Sequence, residues 1–224
     1  MKVLMYADFC KLIPTTNFLI DDLLNKDISE CRLLFVPLAT ENKGYVSKCY
    51  NSLIKLGFKV ENIKSISPVM NNENFDAVFV CGGNNAVLKE KLINWDWWDK
   101  IKNLIINDAL YIGDSAGAVV LGKDFKFSLS YEPYKGKLTD FSGHCILDKY
   151  IIVHYSTIKM SSDAVLNDAT EYFNLHQEQV EQLGRENCVT IGNNEVLKIT
   201  DDGTKLYTYS WEEIQENYKR EMQC

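Results

Sequence analysis

The stretch ALYIGDSAGAVVLG, residues 109–122, joins a short apolar run to a run of small residues around one serine, Ser115. The apolar residues 109–113 predict a buried strand, and the small residues after Ser115 can begin a helix. Residues 113–117 match the pattern GxSxG, whose glycines allow a sharp strand-to-helix turn that exposes a serine hydroxyl. By itself the pattern fits two roles: a nucleophile with the next helix's amides and dipole facing an oxyanion, or a serine that caps a helix.

Apolar runs that alternate with helical patterns extend outward from this stretch. Strand-like runs lie at residues 2–7, 32–39, 59–66 and 76–83, and helical patterns lie between most of them. This alternation predicts the α/β class, with an open, mostly parallel sheet and helices on both faces in three layers.

Three further patterns complete the predicted fold. Residues 88–107 read as one helix in which Trp95 and Trp98 could face the core together, and residues 163–184 read as another helix. The turn sequence DDGT, at 201–204, predicts a late β-hairpin. Because the chain shows no repeat, linker or low-complexity segment, residues 1–224 are expected to form a single domain.

Composition and charge argue against several classes of protein. A net charge of -7 argues against a nucleic-acid partner, because binding a polyanion needs a concentrated basic face. The seven cysteines form no CxxC pair, so we expect neither a disulfide framework nor a zinc knuckle, and a reducing cytoplasm fits best. No cofactor is expected. No window approaches the roughly 20 apolar residues of a membrane span. We therefore expect a cytoplasmic monomer or small homo-oligomer with no membrane partner.

A second loop accompanies the serine. The residues VCGGNN, at 80–85, also end a predicted buried strand, and neighbouring strand ends of a parallel sheet converge on one crevice. The amides of Gly83 and Ala116 could then form an oxyanion hole, with Gly82 and Asn84 among the substrate-binding residues. The alternative is that the two glycines only permit a tight turn.

A serine nucleophile also needs a base, and the chain has three histidines. His154 ends the apolar run 150–153 and therefore lies where a strand leaves its sheet. His176 belongs to a polar helical stretch and is expected to be solvated, and His144 follows Gly143 in a predicted loop. We therefore favour His154 as the base.

The segments VFVCGGNNAVL, YIGDSAGAVVLG and IIVHYS, in this order, resemble the dipeptidase E (aspartyl dipeptidase) family of serine peptidases. The resemblance implies a fold like that of class I glutamine amidotransferases, a Ser-His-acid triad, no metal, and hydrolysis of short peptides through an acyl-enzyme. It makes Ser115 the nucleophile, His154 the base, and Gly83 with Ala116 the oxyanion hole.

The third member of the triad departs from the family pattern. The family places Glu or Asp in a turn before a late strand, which corresponds here to TIGNNEVLKI, residues 190–199. Asn193 aligns at that position, and Glu195 follows two residues later. An asparagine can hold a histidine in the right tautomer but adds no charge to stabilise an imidazolium. Both residues remain candidates, because Glu195 could reach His154 after a small shift of register.

The substrate side chain is a second departure. Aspartyl dipeptidases of this family use an arginine downstream of the histidine, because a guanidinium pairs with a carboxylate through two hydrogen bonds. Residues 154–173 contain no arginine, and Lys159 is the nearby cation. The sequence therefore does not predict an aspartyl preference, although Lys159 could act as a weaker substitute.

Two other functions remain open at the level of sequence. GxSxG also suits an α/β-hydrolase esterase, in which His176 would be the base with Asp140 or Asp148. Asn193 and the missing arginine also fit a catalytically weakened homologue that binds a small ligand or a partner.

Overall fold

The computed structural model describes residues 1–70, 74–156 and 169–222. Within these residues the strands are β1 (Lys2–Tyr6), β2 (Leu33–Val36), β3 (Ile63–Ser65), β4 (Ala77–Val80), β5 (Leu110–Asp114), β6 (Tyr150–Val153), β7 (Cys188–Ile191), β8 (Glu195–Thr200) and β9 (Gly203–Thr208). The α-helices are α1 (Phe9–Leu23), α2 (Lys43–Leu56), α3 (Asn85–Asn94), α4 (Trp98–Ile106), α5 (Ala116–Val119), α6 (Ala169–Leu183) and α7 (Trp211–Met222). No helix in these ranges is long and apolar enough to cross a bilayer.

Seven strands form the central sheet in the order β3-β2-β4-β5-β1-β8-β9. Strands β1 to β5 run parallel to one another, β8 pairs antiparallel with β1, and β9 pairs antiparallel with β8 to complete the hairpin. This arrangement confirms the predicted mostly parallel α/β sheet with a late hairpin. The carboxyl ends of β4, β5 and β1 and the beginning of β8 consequently share one edge.

Both faces of the sheet are buried under helices. On β1, Val3 and Met5 join the apolar cluster that packs against α3, α4 and α5. Leu4 and Tyr6 point to the other face, where the apolar cluster includes residues of α1, α2 and α7. Because successive residues of a strand face opposite sides, burial of both sides explains the continuous apolar runs in the sequence.

A separate two-stranded parallel sheet, β6 and β7, lies beside the central one. Val153 and Ile191, at the ends of these strands, pack into the same apolar cluster as α5. The predicted strand before His154 is present, and it ends one residue earlier, at Val153. Its pairing in a second sheet was not predicted.

The prediction of one helix over residues 88–107 was wrong. The chain breaks between α3 and α4, where Asp96 adopts a left-handed φ of 59°. Trp97, rather than Trp95 or Trp98, is fully buried, and its indole N–H donates to the carbonyl oxygen of Ser67 at 3.1 Å. The break turns Trp97 into the core, which a continuous helix would not do.

Candidate active site

Ser115 lies on a strained turn at the end of β5. Its φ of 47° and ψ of -105° lie outside the regions favoured by residues with a side chain, at a cost on the order of 1–3 kcal/mol. The surrounding structure holds this conformation: the Ser115 amide donates to Tyr6, and its carbonyl oxygen accepts from Ala118 and Val119. The partly exposed hydroxyl of Ser115 is thereby fixed at the carboxyl edge of the sheet.

The last glycine of the GxSxG pattern is required by close packing. A Cβ atom at Gly117 would lie 2.4 Å from the carbonyl oxygen of Val80 on β4. The helix that follows Ser115 spans only Ala116–Val119. A helix thus follows Ser115 as expected, but its single turn aligns few peptide dipoles, so its individual amides are the main donors.

The strands of the small sheet bring His154 and Asn193 together. His154 directly follows β6, Asn193 lies two residues after β7, and the Tyr155 amide donates to Ile191. Nε2 of His154 lies 3.0 Å from Oγ of Ser115, and Nδ1 lies 2.8 Å from Oδ1 of Asn193. Ser115, His154 and Asn193 thus form a continuous hydrogen-bonded row.

This row fixes the tautomer of His154. The amide oxygen of Asn193 only accepts hydrogen bonds, so Nδ1 of His154 carries the proton and Nε2 can accept the Ser115 hydroxyl proton. Burial lowers the pKa of His154, while the hydrogen bond that Nδ1 donates to Asn193 and the charge of Asp8 raise it. A neutral imidazole with a free Nε2 lone pair is the form that a general base needs.

Glu195 faces a different set of partners. Its carboxylate accepts from the Gly192 amide at 2.7 Å and from the Thr208 hydroxyl at 3.1 Å, which joins the β7–β8 turn to β9. The structure therefore places Asn193, and not Glu195, against His154. The register shift considered from the sequence does not occur.

The glycine loop after β4 lies against the serine. A Cβ at Gly82 would come within 3.0 Å of Cβ of Ser115, so the two backbones approach closely. Gly83 has a φ of 138°, and a Cβ there would lie 2.3 Å from the carbonyl oxygen of Ala39. The amides of Gly83 and Ala116 make no hydrogen bond within the described residues. Both are available as donors beside Ser115.

The other predicted binding residues have mixed outcomes. Asn84 is the N-cap of α3, because its side-chain oxygen accepts from the Val87 amide at 3.0 Å. The side-chain oxygen of Asn84 thus has a structural role. Lys159 lies outside the described residues.

Sequence reasoning missed a buried link between the glycine loop and the nucleophile turn. The Gly82 amide donates to Oη of Tyr45 at 2.8 Å, and the Tyr45 hydroxyl donates to the Asp114 carboxylate at 2.5 Å. The other Asp114 oxygen accepts from the Phe9 amide. Burial, with a smaller contribution from Asp8, raises the pKa of Asp114 to about 7. Tyr45 and Asp114 are 69 residues apart, so no local pattern predicts this contact.

A second buried carboxyl, Glu132, was also missed. Its side chain accepts from both the backbone amide and the side-chain amide of Asn85, and burial raises its pKa to about 7. Glu132 thereby holds the beginning of α3 and the glycine loop before it. Among the described residues, no group of three or more His, Cys, Asp or Glu side chains could hold a metal ion.

The remaining histidines are buried side chains without contact to Ser115. His176 was expected to be solvated, which is wrong. It is fully buried, and the centroid of its ring lies 5.3 Å from that of Tyr131. His144 stacks on Trp98 at 3.7 Å. Burial lowers the pKa of each to about 3. Asp140 pairs with Lys89 at 2.8 Å, so the esterase arrangement of His176 with Asp140 is not formed.

A serine on a strained turn at the carboxyl edge of a parallel sheet places the protein among the α/β serine hydrolases. Sequence similarity narrows this class. Peptidase family S51 matches residues 12–207, and the chain therefore belongs to that family. It is a serine peptidase of peptidase E type, which confirms the resemblance seen in its motifs.

Individual relatives agree with this membership. The chain is 24% identical over 215 residues to uncharacterized peptidase Lin0382 of Listeria innocua, covering 90% of this chain and 93% of that protein. It is 24% identical over 168 residues to uncharacterized peptidase PM1590 of Pasteurella multocida, covering 69% and 77% respectively.

Solved structures show the same fold. A candidate peptidase E of Listeria monocytogenes superposes with a TM-score of 0.71 at 19% identity, over 93% of this chain and 98% of that one. A peptidase from an acI-B1 actinobacterium superposes with a TM-score of 0.63 at 16% identity, over 93% and 88% of the two chains.

Proposed function

We propose that this protein hydrolyses short peptides through an acyl-enzyme on Ser115, with His154 as the proton carrier and Asn193 as its orienting group. The observation that carries the proposal is the row from Ser115 Oγ to His154 Nε2 and from His154 Nδ1 to Asn193 Oδ1. Its hydrogen-bond directions are those of a base ready to accept the serine proton.

The reaction then proceeds in two steps, formation and hydrolysis of the acyl-enzyme. Oγ of Ser115 attacks the peptide carbonyl carbon while its proton passes to Nε2 of His154, and the oxyanion faces the amides of Gly83 and Ala116. The C–N bond breaks as Nε2 returns the proton to the leaving amine. In the second step a water molecule attacks the ester carbonyl carbon of the acyl-enzyme while Nε2 of His154 takes its proton. The ester bond breaks as Nε2 returns the proton to Oγ of Ser115, which releases the free acid.

Asn193 defines a second candidate function, a weakened homologue that binds ligands without efficient turnover. In trypsin, replacing the triad aspartate by asparagine lowers kcat about 10⁴-fold, largely because the histidine takes the wrong tautomer. Here Oδ1 of Asn193 faces Nδ1 of His154, so the favourable tautomer is kept and only the charge is missing. This difference favours the peptidase over the binding protein.

Release of amino acids from a mixed dipeptide library, followed by mass spectrometry, tests the proposal. The native protein should cleave a subset of dipeptides, and Ser115→Ala should cleave none. Dipeptides with a blocked amino terminus, run in parallel, report whether a free amino group is needed. Equal product from the native protein and Ser115→Ala would refute the peptidase and leave the binding protein.

A further inference from the structure

The row of Ser115, His154 and Asn193 contains no negative charge, although an imidazolium forms on His154 during acyl transfer. The row lies at one edge of the central sheet, beside three neighbouring strands, β5, β1 and β8. Ser115 follows β5 and Asn193 precedes β8, and β1 lies between these two strands. Because His154 bridges Ser115 and Asn193, its ring lies over the carboxyl end of β1.

The chain that leaves β1 carries an acidic side chain at this point. Tyr6 is in register with Asp114 on one side and with Val196 on the other, and Asp8 follows Tyr6 by two residues. Asp8 therefore lies at the edge of the sheet where Ser115 and Asn193 also lie.

The carboxylate of Asp8 does not cap its own helix through a hydrogen bond. Asp8 is the N-cap of α1, where an aspartate usually accepts a hydrogen bond from one of the first helical amides. Its side chain makes no such bond, and the first amide, that of Phe9, donates to Asp114 instead. The ion pair of Asp8 is a long one, 3.8 Å to Lys11, with each side chain 20% exposed.

One charged group among the described residues shifts the pKa of His154. Asp8 raises the pKa of His154, and it also raises that of Asp114. His176, from α6, is neutral near pH 7 because burial lowers its pKa to about 3. A charge beside a buried imidazole acts through a medium that screens it less than water does. Within the described ranges, Asp8 is thus a charged group placed to act on His154.

We propose that Asp8 stabilises the imidazolium of His154 during acyl transfer and so replaces the carboxylate that Asn193 lacks. This inference rests on the proposed function of Ser115 and His154. Asp8 touches neither substrate nor the reacting atoms, and is therefore a positioning residue that acts through His154. The site then divides between two residues what one acidic triad member ordinarily does: Asn193 sets the tautomer and Asp8 supplies the charge.

Titration of the imidazole signals by NMR in histidine-labelled protein tests this directly, with His154→Gln used to assign the signal. Asp8→Asn should lower the pKa of His154 by about one unit, because it removes a nearby opposite charge. The matched control is Asp21→Asn, which removes an exposed carboxylate from the same helix and should leave the pKa unchanged. If Asp8→Asn does not fold, Asp8→Ser keeps a good N-cap residue and carries the same expectation.

The second readout is the rate at which a fluorophosphonate modifies Ser115, measured across pH. Asp8→Asn should slow the reaction about tenfold and move the acidic limb of the profile to lower pH, since one pKa unit corresponds to a tenfold change. Asn193→Asp, added to Asp8→Asn, should restore the rate, and Asp8→Glu should retain most of it.

The outcomes separate the two proposals. An unchanged pKa of His154 in Asp8→Asn, or an unchanged profile of modification, would overturn the role of Asp8 while leaving Ser115 as the nucleophile. Failure of the native Ser115 to react would overturn the proposed function, and the NMR titration would still report whether Asp8 acts on His154.

Discussion

The two halves of the site are built differently. The nucleophile half, Ser115 and the Gly82–Gly83 loop, stands on the buried strands of the central sheet, and its buried groups include the carboxyl of Asp114. The base half, His154 and Asn193, stands on the two-stranded sheet and is neutral. In our proposal, tautomer and charge, which one residue usually provides to a catalytic histidine, come from separate parts of the fold: Asn193 in the base half and Asp8 after β1.

Removing the base should give the largest effect. His154→Ala takes away the proton acceptor of Ser115, and we expect peptide hydrolysis to fall by up to about 10⁶-fold. Steady-state kinetics on the best dipeptide of the library measure this. His144→Gln, which alters a buried ring stacked on Trp98 and apart from the row, is the control. A larger loss with His144→Gln than with His154→Ala would contradict the division into halves.

Disturbing the nucleophile half while the base half stays intact should give the next largest effect. Gly83→Ala puts a Cβ atom 2.3 Å from the carbonyl oxygen of Ala39, so the loop must move. Loss of one oxyanion donor is expected to lower kcat roughly 10²-fold with little change in KM. Gly44→Ala, whose nearest contact would be 3.3 Å, provides the matched control. An unaltered kcat in Gly83→Ala would remove this loop from the site.

The buried Asp114 makes the stability of the nucleophile half depend on pH. Its pKa rises from an ordinary 3.8 to about 7 in the folded protein, so between these values the folded state holds a proton that the unfolded chain has released. The free energy of unfolding should therefore fall as pH rises through this window. Urea denaturation at several pH values should show a flatter dependence in Asp114→Asn than in Asp21→Asn. Equal slopes would mean that Asp114 ionises normally.

Glu195 should give the smallest effect and sharpen its contrast with Asn193. Glu195→Gln weakens the bonds to the Gly192 amide and the Thr208 hydroxyl, with an expected stability loss of about 1 kcal/mol. Hydrolysis should change by less than about twofold, because Asn193 remains against His154. Kinetics and denaturation of the same preparation measure both quantities. A large loss of kcat at preserved stability would return Glu195 to the triad.

The nucleophile half could be predicted closely because its signals are local. Continuous apolar runs followed by GxSxG and by a glycine pair fix strands, turns and their order along the chain. His154 followed by elimination, since only three histidines exist. Asn193 and Glu195 stayed ambiguous because side-chain hydrogen bonds within a turn, which the sequence does not encode simply, decide between them.

The misses have tertiary causes. His176 lies on a polar helical stretch, yet residues 127–131 cover it, with the Tyr131 ring against it. The same segment receives a hydrogen bond from Gln179 through the Phe127 carbonyl oxygen. Asp8, Tyr45 and Asp114 come from three distant strand ends or helices and meet only when the sheet has formed. Such contacts require the strand order, which local patterns do not give.

The most direct test of the central claim is the mass-spectrometric mapping of the residue that a fluorophosphonate modifies at pH 7. The account predicts a single stable adduct on Ser115 in the native protein and almost none in His154→Ala. An adduct on another residue, no adduct at all, or modification of Ser115 at the same rate without His154 would contradict it.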